Sequence, residues 1–321
     1  MFTKKWRWIS IGVGFLFLVT APLFLTGYWI RFLTNVFMFG VMAEGFNILA
    51  GFCGIPSFGN VVFFGLGAYT TCIFMVQLHQ PFIAGVVAGA ILSTLFAILL
   101  GFPILRLKGH YFAIGTLGLS EATKELVTNL EKITKGSEGI SLPVIAGNVN
   151  VIYAVFYFTM FGIMISIILF TYWMSKTRLG YAFQAIRSDE EAALVTGINT
   201  AWYKTIAWSV CAFFTGLVGG VYAYWTTFIN PEGVFSVGIT VKMLIMTILG
   251  GSGTILGPII GAFIFEFLSE LAWSSFMNVH AAFLGLLFIL IVIFMPNGFM
   301  QLITQRFSLS SLIAQIKENR I

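Results

Sequence analysis

FIAGVVAGAILSTLFAILLG fills residues 82–101 without one charged side chain, and Ser93 and Thr94 are its only polar ones. As a helix rising 1.5 Å per residue it would extend about 30 Å, the thickness of a bilayer's hydrocarbon core. Blocks of the same kind lie at 9–30, 32–50, 61–79, 111–130, 151–174, 205–228, 238–250, 257–277 and 280–296. The pattern predicts an all-α, polytopic integral membrane protein of about ten transmembrane helices. The block at 238–250 is short, and glycine-rich turns alone separate some neighbours.

Composition agrees. Of 321 residues, 59% are hydrophobic and 9% charged, and mean hydropathy is +0.97. A soluble domain carries about 25% charged residues because its surface faces water. The run at 9–30 follows Lys4, Lys5 and Arg7 as a signal peptide would. It is longer than a signal's apolar core and lacks a small-residue cleavage site, so we read it as a retained first span.

The formal charge of +5 does not signal nucleic acid. Arg106 and Lys108, then Lys176, Arg178, Arg187 and Lys204, then Arg306, Lys317 and Arg320 sit between or beyond apolar blocks, as positive-inside loops do. With a cytoplasmic N-terminus, the loops at 102–110 and 175–204 and the C-terminal tail are cytoplasmic too. The outside segments then include 131–150, with balanced charges, and 229–237, with Glu232 and no Lys or Arg. Arg31, at an outer end, is the one dissenter, and a helix end is where an arginine can snorkel.

Catalytic chemistry is absent from the sequence pattern. There is no G-x-x-x-x-G-K-[ST] to cradle phosphates and no H-E-x-x-H. His79, His110 and His280 are far apart, and Cys53, Cys72 and Cys211 fit neither a disulfide framework nor a zinc site. We expect no enzyme activity and no catalytic, cofactor or metal residue on this chain.

Two glycine-rich segments resemble each other. Gly51-Phe-Cys-Gly54 is followed by Gly59, Gly65 and Gly67; Gly250-Gly251-Ser-Gly253 is followed by Gly257 and Gly261. Each follows a span with one ionisable residue, Glu44 or Lys242. Small residues allow close helix packing; an internal repeat with broken helices lining a pathway produces the same pattern. On the second reading the pathway or gating candidates are Glu44, Gly54, Ser57, Gly59, Gly65, Gly67, Tyr69, Thr116, Glu121, Gly250, Gly251, Gly253 and Gly257. Charges within spans are functional candidates by default, and pairing is the structural alternative. Glu121, Lys124 and Glu125 share a helix face, as do Glu266 and Glu270, and Glu44 and Lys242 could pair across the two segments.

The loop at 175–204 reads SKTRLGYAFQAIRSDEEAALVTGINTAWYK. Each of its charges would cost about 2.5–3.5 kcal/mol at mid-bilayer, so they lie in water or against protein. Ser188-Asp189-Glu190-Glu191 has the capping-box form, in which Ser188 caps a helix and Glu191 reaches back. Ala192 and Ala193 continue it, and Gly197 is placed to end it in the left-handed conformation.

Glu191-Ala192-Ala193-x-x-x-Gly197 resembles the E-A-A-x-x-x-G element of bacterial ABC importer permeases. RLKGHYFAIGTL at 106–117, RLGYAFQAIR at 178–187 and GGSGTILGP at 250–258 are similar to segments of the LivM-type permeases, in the same order and at similar spacing. The likeness runs from about Asn35 to Gly298. It implies one transmembrane permease domain over 1–321, with 175–204 as an ATPase-coupling loop. The implied coupling residues are Arg187, Ser188, Asp189, Glu190, Glu191, Ala192, Ala193 and Gly197. It further implies a second homologous permease subunit, two cytoplasmic P-loop ATPases that hold ATP and Mg, and an extracytoplasmic solute-binding protein. The place is the bacterial inner membrane, multi-pass, with both termini cytoplasmic.

The implied cargo is branched-chain or other neutral amino acids, with urea or short amides as the family's alternative. Where the family often shows T-G-G-x-x-G, this chain has Thr134-Lys135-Gly136-Ser137-Glu138-Gly139. A stand-alone ion-coupled transporter would share the composition, and Glu44 or the Glu121–Glu125 face could bind its ion. The E-A-A helix has no role in such a protein.

Overall fold

The structure, a computed structural model, describes residues 18–107, 109–143, 147–275, 285, 289 and 298–300. It is helical throughout, apart from two short strands. The main helices are α1 (Gly27–Asn47), α2 (Val61–Val76), α3 (Phe82–Ile104), α4 (His110–Asn129), α6 (Val149–Ser175), α9 (Thr200–Thr226), α11 (Val237–Gly250) and α12 (Gly257–Ser275). Between them lie the short helices α5 (Glu131–Thr134), α7 (Arg178–Ser188), α8 (Glu190–Val195) and α10 (Pro231–Val234). Five segments are long and apolar enough to cross a membrane: Gly27–Phe52, Phe82–Ile104, Val149–Ser175, Thr200–Thr226 and Pro231–Gly250. α2 is apolar but shorter.

The stretch that decided the class shows why the chain needs lipid. Along α3, Gly85, Gly89, Ser93, Ala97 and Gly101 recur every four residues and are buried, while Ile83, Val87, Ile91, Leu95, Leu99 and Phe102 are exposed. The small face lets α2 and α9 come close: Ser93 Oγ donates to the Phe63 carbonyl at 3.1 Å. α6 likewise exposes Val151, Val155, Phe158, Leu169 and Trp173. Such apolar belts exceed what a soluble monomer carries. In a bilayer, van der Waals packing of small residues and lipid contact of large ones is the expected division. Inside the belt, α1 is buried on every side from Val36 to Asn47, so it is a core helix.

Three boundaries differ from the sequence reading. The break between the first two blocks falls at 25–26, where residues 18–24 end a helix, and not at Arg31. Arg31 lies in the second turn of α1, exposed, with its guanidinium over the Tyr153 ring, 5.8 Å from the centroid. The segment 131–150 is also more than a loop. Its strand β1 (Ile140–Ser141) pairs antiparallel with β2 (Phe228–Ile229) after α9. Helix α9 begins at Thr200, five residues before the expected block. The block at 280–296, apart from residues 285 and 289, and residues 9–17 of the first block lie outside the described residues.

Candidate functional site

The segment 175–204 folds as two helices and the start of a third. α7 buries Gly180, Ala182, Phe183 and Ile186 on one stripe against the body of the protein. This packing carries α7 on through Ser188, so the expected capping box does not form as read. Ser188 is the last residue of α7, and its hydroxyl donates to the Gln184 carbonyl at 3.0 Å. The cap of α8 is Asp189, in extended conformation, whose Oδ1 accepts from the Glu191 and Ala192 backbone N–H at 2.9 and 3.1 Å. An ionised cap also suits the positive end of the helix dipole.

The other end of α8 agrees with the sequence reading. Gly197 has φ of +86°, and a Cβ there would meet nothing within 4 Å. Gly197 N–H donates to the Leu194 carbonyl and Ile198 N–H to the Ala193 carbonyl, both at 3.0 Å. That pair of bonds is a Schellman closure, with Ile198 and Ala193 in apolar contact in the core beneath. Glu190 fastens α8 to α9: it pairs with buried Lys204 at 2.5 Å and accepts from Thr200 Oγ1 at 3.3 Å. The outer face then presents Glu191, Ala192, Leu194 and Val195, with Val195 89% exposed.

Arg187 turns the other way. Its Nη1 donates to the carbonyl of Gly51, in the π-helical turn Ile48–Phe52 that ends the first long span. A Cβ on Gly54 would lie 3.0 Å from Arg187 Cγ, and one on Gly253 would lie 2.5 Å from Arg187 Nη1. The side chain thus occupies a slot between the two glycine-rich breaks and needs both to lack side chains. Asn47 ties the same breaks together. Its Oδ1 accepts from Gly253 N–H at 2.7 Å, and its Nδ2 donates to the Thr254 carbonyl at 2.8 Å. Asn47 Nδ2 also lies 3.2 Å from Glu44 Oε2. A surface helix pair is therefore joined, through one arginine, to the ends of two interior segments that are about 200 residues apart in sequence.

The remaining candidates separate into two kinds. Glu44, Gly54 and Gly253 belong to this junction, and Gly250, Gly251 and Gly257 form the second break beside it. Thr116 and Gly59 pack α4 on the start of α2, where Phe58 N–H donates to Thr116 Oγ1 at 3.1 Å and Ser57 Oγ accepts from Gly59 N–H at 3.2 Å. Gly65 lies under Phe235 and Gly67 against Gly216, while Tyr69 stacks on Phe235 at 6.0 Å. These are close-packing positions. Glu121 pairs with Lys124, three residues on in the second half of α4, as a structural ion pair would. Glu44 and Lys242 do not pair: Lys242 Nζ stands over the Phe39 ring, 5.0 Å from its centroid. No sequence pattern marks Asn47, Thr254 or Lys204 as members of this site. An amide in an apolar helix carries no motif, and its partners are remote in sequence.

The family model for the branched-chain amino acid transport system permease component matches residues 28–295. The chain belongs to that family. It is similar to the high-affinity branched-chain amino acid permease LivM of Salmonella typhimurium, 27% identical over 304 residues, which cover 87% of this chain and 71% of the relative. The LivH permease of the same organism is 24% identical over 288 residues, 81% of this chain and 90% of the relative. The autoinducer 2 import permease LsrC of Salmonella paratyphi B is 29% identical over 191 residues, 56% of this chain and 50% of the relative. No solved structure matches. Membership makes the chain a multi-pass transport subunit of an ABC importer and not its ATPase, which is a separate subunit.

Proposed function

We propose that this permease passes branched-chain amino acids inward, as one of two homologous permease subunits over two P-loop ATPases that hold ATP and Mg. A solute-binding protein delivers the amino acid from outside. The reading places the chain in a bacterial inner membrane with about ten spans, both termini and the 175–204 segment cytoplasmic, and the two glycine breaks as equivalent points of an internal repeat. The observation that carries it is the seat of Arg187. A helix pair whose outer face is exposed and apolar at Leu194 and Val195 is linked by one side chain to both interior breaks. This is the mechanical link an external ATPase requires, and an ion-coupled transporter has no use for it. The similarity to LivM and LivH supports the cargo and the second permease.

Two measurements test the reading. Deleting the gene should abolish high-affinity uptake of labelled leucine, isoleucine and valine. Unchanged uptake of these, together with lost urea uptake, would move the chain to the amide branch of the family. Purification through a tag on this chain should bring down two ATPases and a second permease, and recovery of the chain alone would refute the assembly.

A further inference from the structure

A cavity of ≈ 650 Å³ lies between α1, α2, α9 and the α10–α11 corner. Helix α9 leaves the coupling helices at Thr200 and ends at Thr226, about 40 Å away at 1.5 Å per residue, so α10 sits at the far end of the protein. The walls are unlike the lipid-facing grooves. One side is apolar, from Phe39, Met42, Phe64 and Tyr222; the other carries Lys242 and Glu232. Lys242 is in the second turn of α11 and half-buried, and Glu232 is in the first turn of α10. Among the described residues neither forms a salt bridge: Lys124, which feels the Glu232 charge at a distance, is bound to Glu121, and Lys242 leans on the Phe39 ring with the Glu266 carboxylate in electrostatic range. A half-buried cation and an exposed carboxylate thus line one cavity, and burial is costly for the Lys242 charge unless an anion lies close to it.

We propose that this cavity is a binding site for a free amino acid in its zwitterionic form, with an aliphatic side chain. Lys242 takes the α-carboxylate, Glu232 takes the α-ammonium, and Phe39, Met42 and Phe64 enclose the side chain. The volume suits a small ligand, and few polar groups on a mostly apolar wall is the usual build of such sites. A zwitterion offers each of the two charges a counter-charge at once, which a urea, an amide or a sugar does not. Methionine and aromatic walls adapt to leucine, isoleucine and valine without a strict shape match. The inference rests on the amino-acid reading above and assigns the transmembrane residues that would recognise the cargo.

The test is saturation-transfer difference NMR on the purified permease–ATPase complex without binding protein, with uptake measured in parallel in proteoliposomes that include it. L-Leucine should bind the unaltered complex, while leucinol and 4-methylpentanoate, each lacking one charge, should bind more weakly. Lys242→Met and Glu232→Gln should each weaken leucine binding by about tenfold or more, the loss expected for one charge-assisted contact. Lys242→Arg, which keeps the charge, should retain binding, and all variants should keep their ATPases, which shows that they fold. Equal leucine binding by Lys242→Met, Glu232→Gln and the unaltered complex overturns the site. So does lost uptake with intact direct binding, which would make the two charges a contact for the binding protein. A complex that transports leucine yet shows no direct binding also overturns it, while the importer reading stands. A complex that neither binds nor transports leucine refutes the amino-acid reading itself.

Discussion

Replacing Arg187 by methionine isolates the link between the surface helices and the interior. Methionine keeps most of the apolar stem that lies against Gly54 but removes the donor to the Gly51 carbonyl. A hydrogen bond from a charged donor contributes about 1.5–3 kcal/mol, so the junction between α7 and the breaks should loosen by a factor of about ten to a hundred. The outer face of α8 is untouched, because its cap, its Schellman closure and the Glu190–Lys204 pair do not involve Arg187. The variant should therefore accumulate normally and retain its ATPases while hydrolysing ATP with little transport. Arg187→Lys should be intermediate, since a single ammonium replaces the planar fork. The assay is the ratio of leucine taken up to ATP hydrolysed in proteoliposomes. An unchanged ratio in Arg187→Met would refute the reasoning, whatever the absolute rates.

Smaller changes separate the parts of the proposed coupling element. Asp189→Ala should destabilise α8 by about 1 kcal/mol and reduce ATPase retention, whereas Ser188→Ala should be nearly silent; the reverse order would restore the capping box. Gly197→Asp should cost about 1 kcal/mol for its left-handed backbone and add a charge beside the exposed docking face. Uptake and ATPase co-purification should then be lost at normal abundance, and more completely than in Glu191→Ala. Lys135 holds φ of +58°, where the family often has glycine, so Lys135→Gly should raise thermal stability in detergent by a degree or a few, equivalent to about 1 kcal/mol or less. A lower melting temperature would show that the lysine has a role of its own.

The sequence exposed most of the fold because lipid imposes a simple code. α3 is legible as a span from composition, and its inner face from glycine and alanine every fourth residue. Where chemistry offers two equivalent choices, the sequence could not decide. Ser188 and Asp189 are adjacent residues of equally good capping type, and the choice between them was made by Ala182, Phe183 and Ile186 burying one more turn of α7. Arg31 reads as a boundary because a charge in a span is costly, yet it lies exposed near the start of α1 beside the Tyr153 ring. The junction was half visible. Glycines at 51, 54 and 253 drew notice as a pattern, and Arg187 as part of a motif. Asn47 did not, since its role lies in bonds to Gly253 and Thr254 that only folding creates.

One helix connects the two sites. α1 lines the cavity with Phe39 and Met42, holds Glu44 and Asn47 one turn or so further on, and passes into the π-helical turn that Arg187 grips. From Phe39 to Asn47 is eight residues, about 12 Å along the axis. A π-turn is a place where a helix can change its hydrogen-bond register without unfolding, and none other occurs among the described residues. If that turn has two arrangements, leucine in the cavity and ATPases on α8 both bias the same element. Linkage then requires that leucine change the affinity for the ATPases by the factor by which the ATPases change the affinity for leucine. Titrating ATPases onto the permease pair with and without leucine, and leucine with and without ATPases, gives the two factors independently. They should agree in the native complex and both fall toward one in Arg187→Met. A leucine effect that survives the loss of Arg187 would mean that coupling runs through some other contact, such as the Glu190–Lys204 pair.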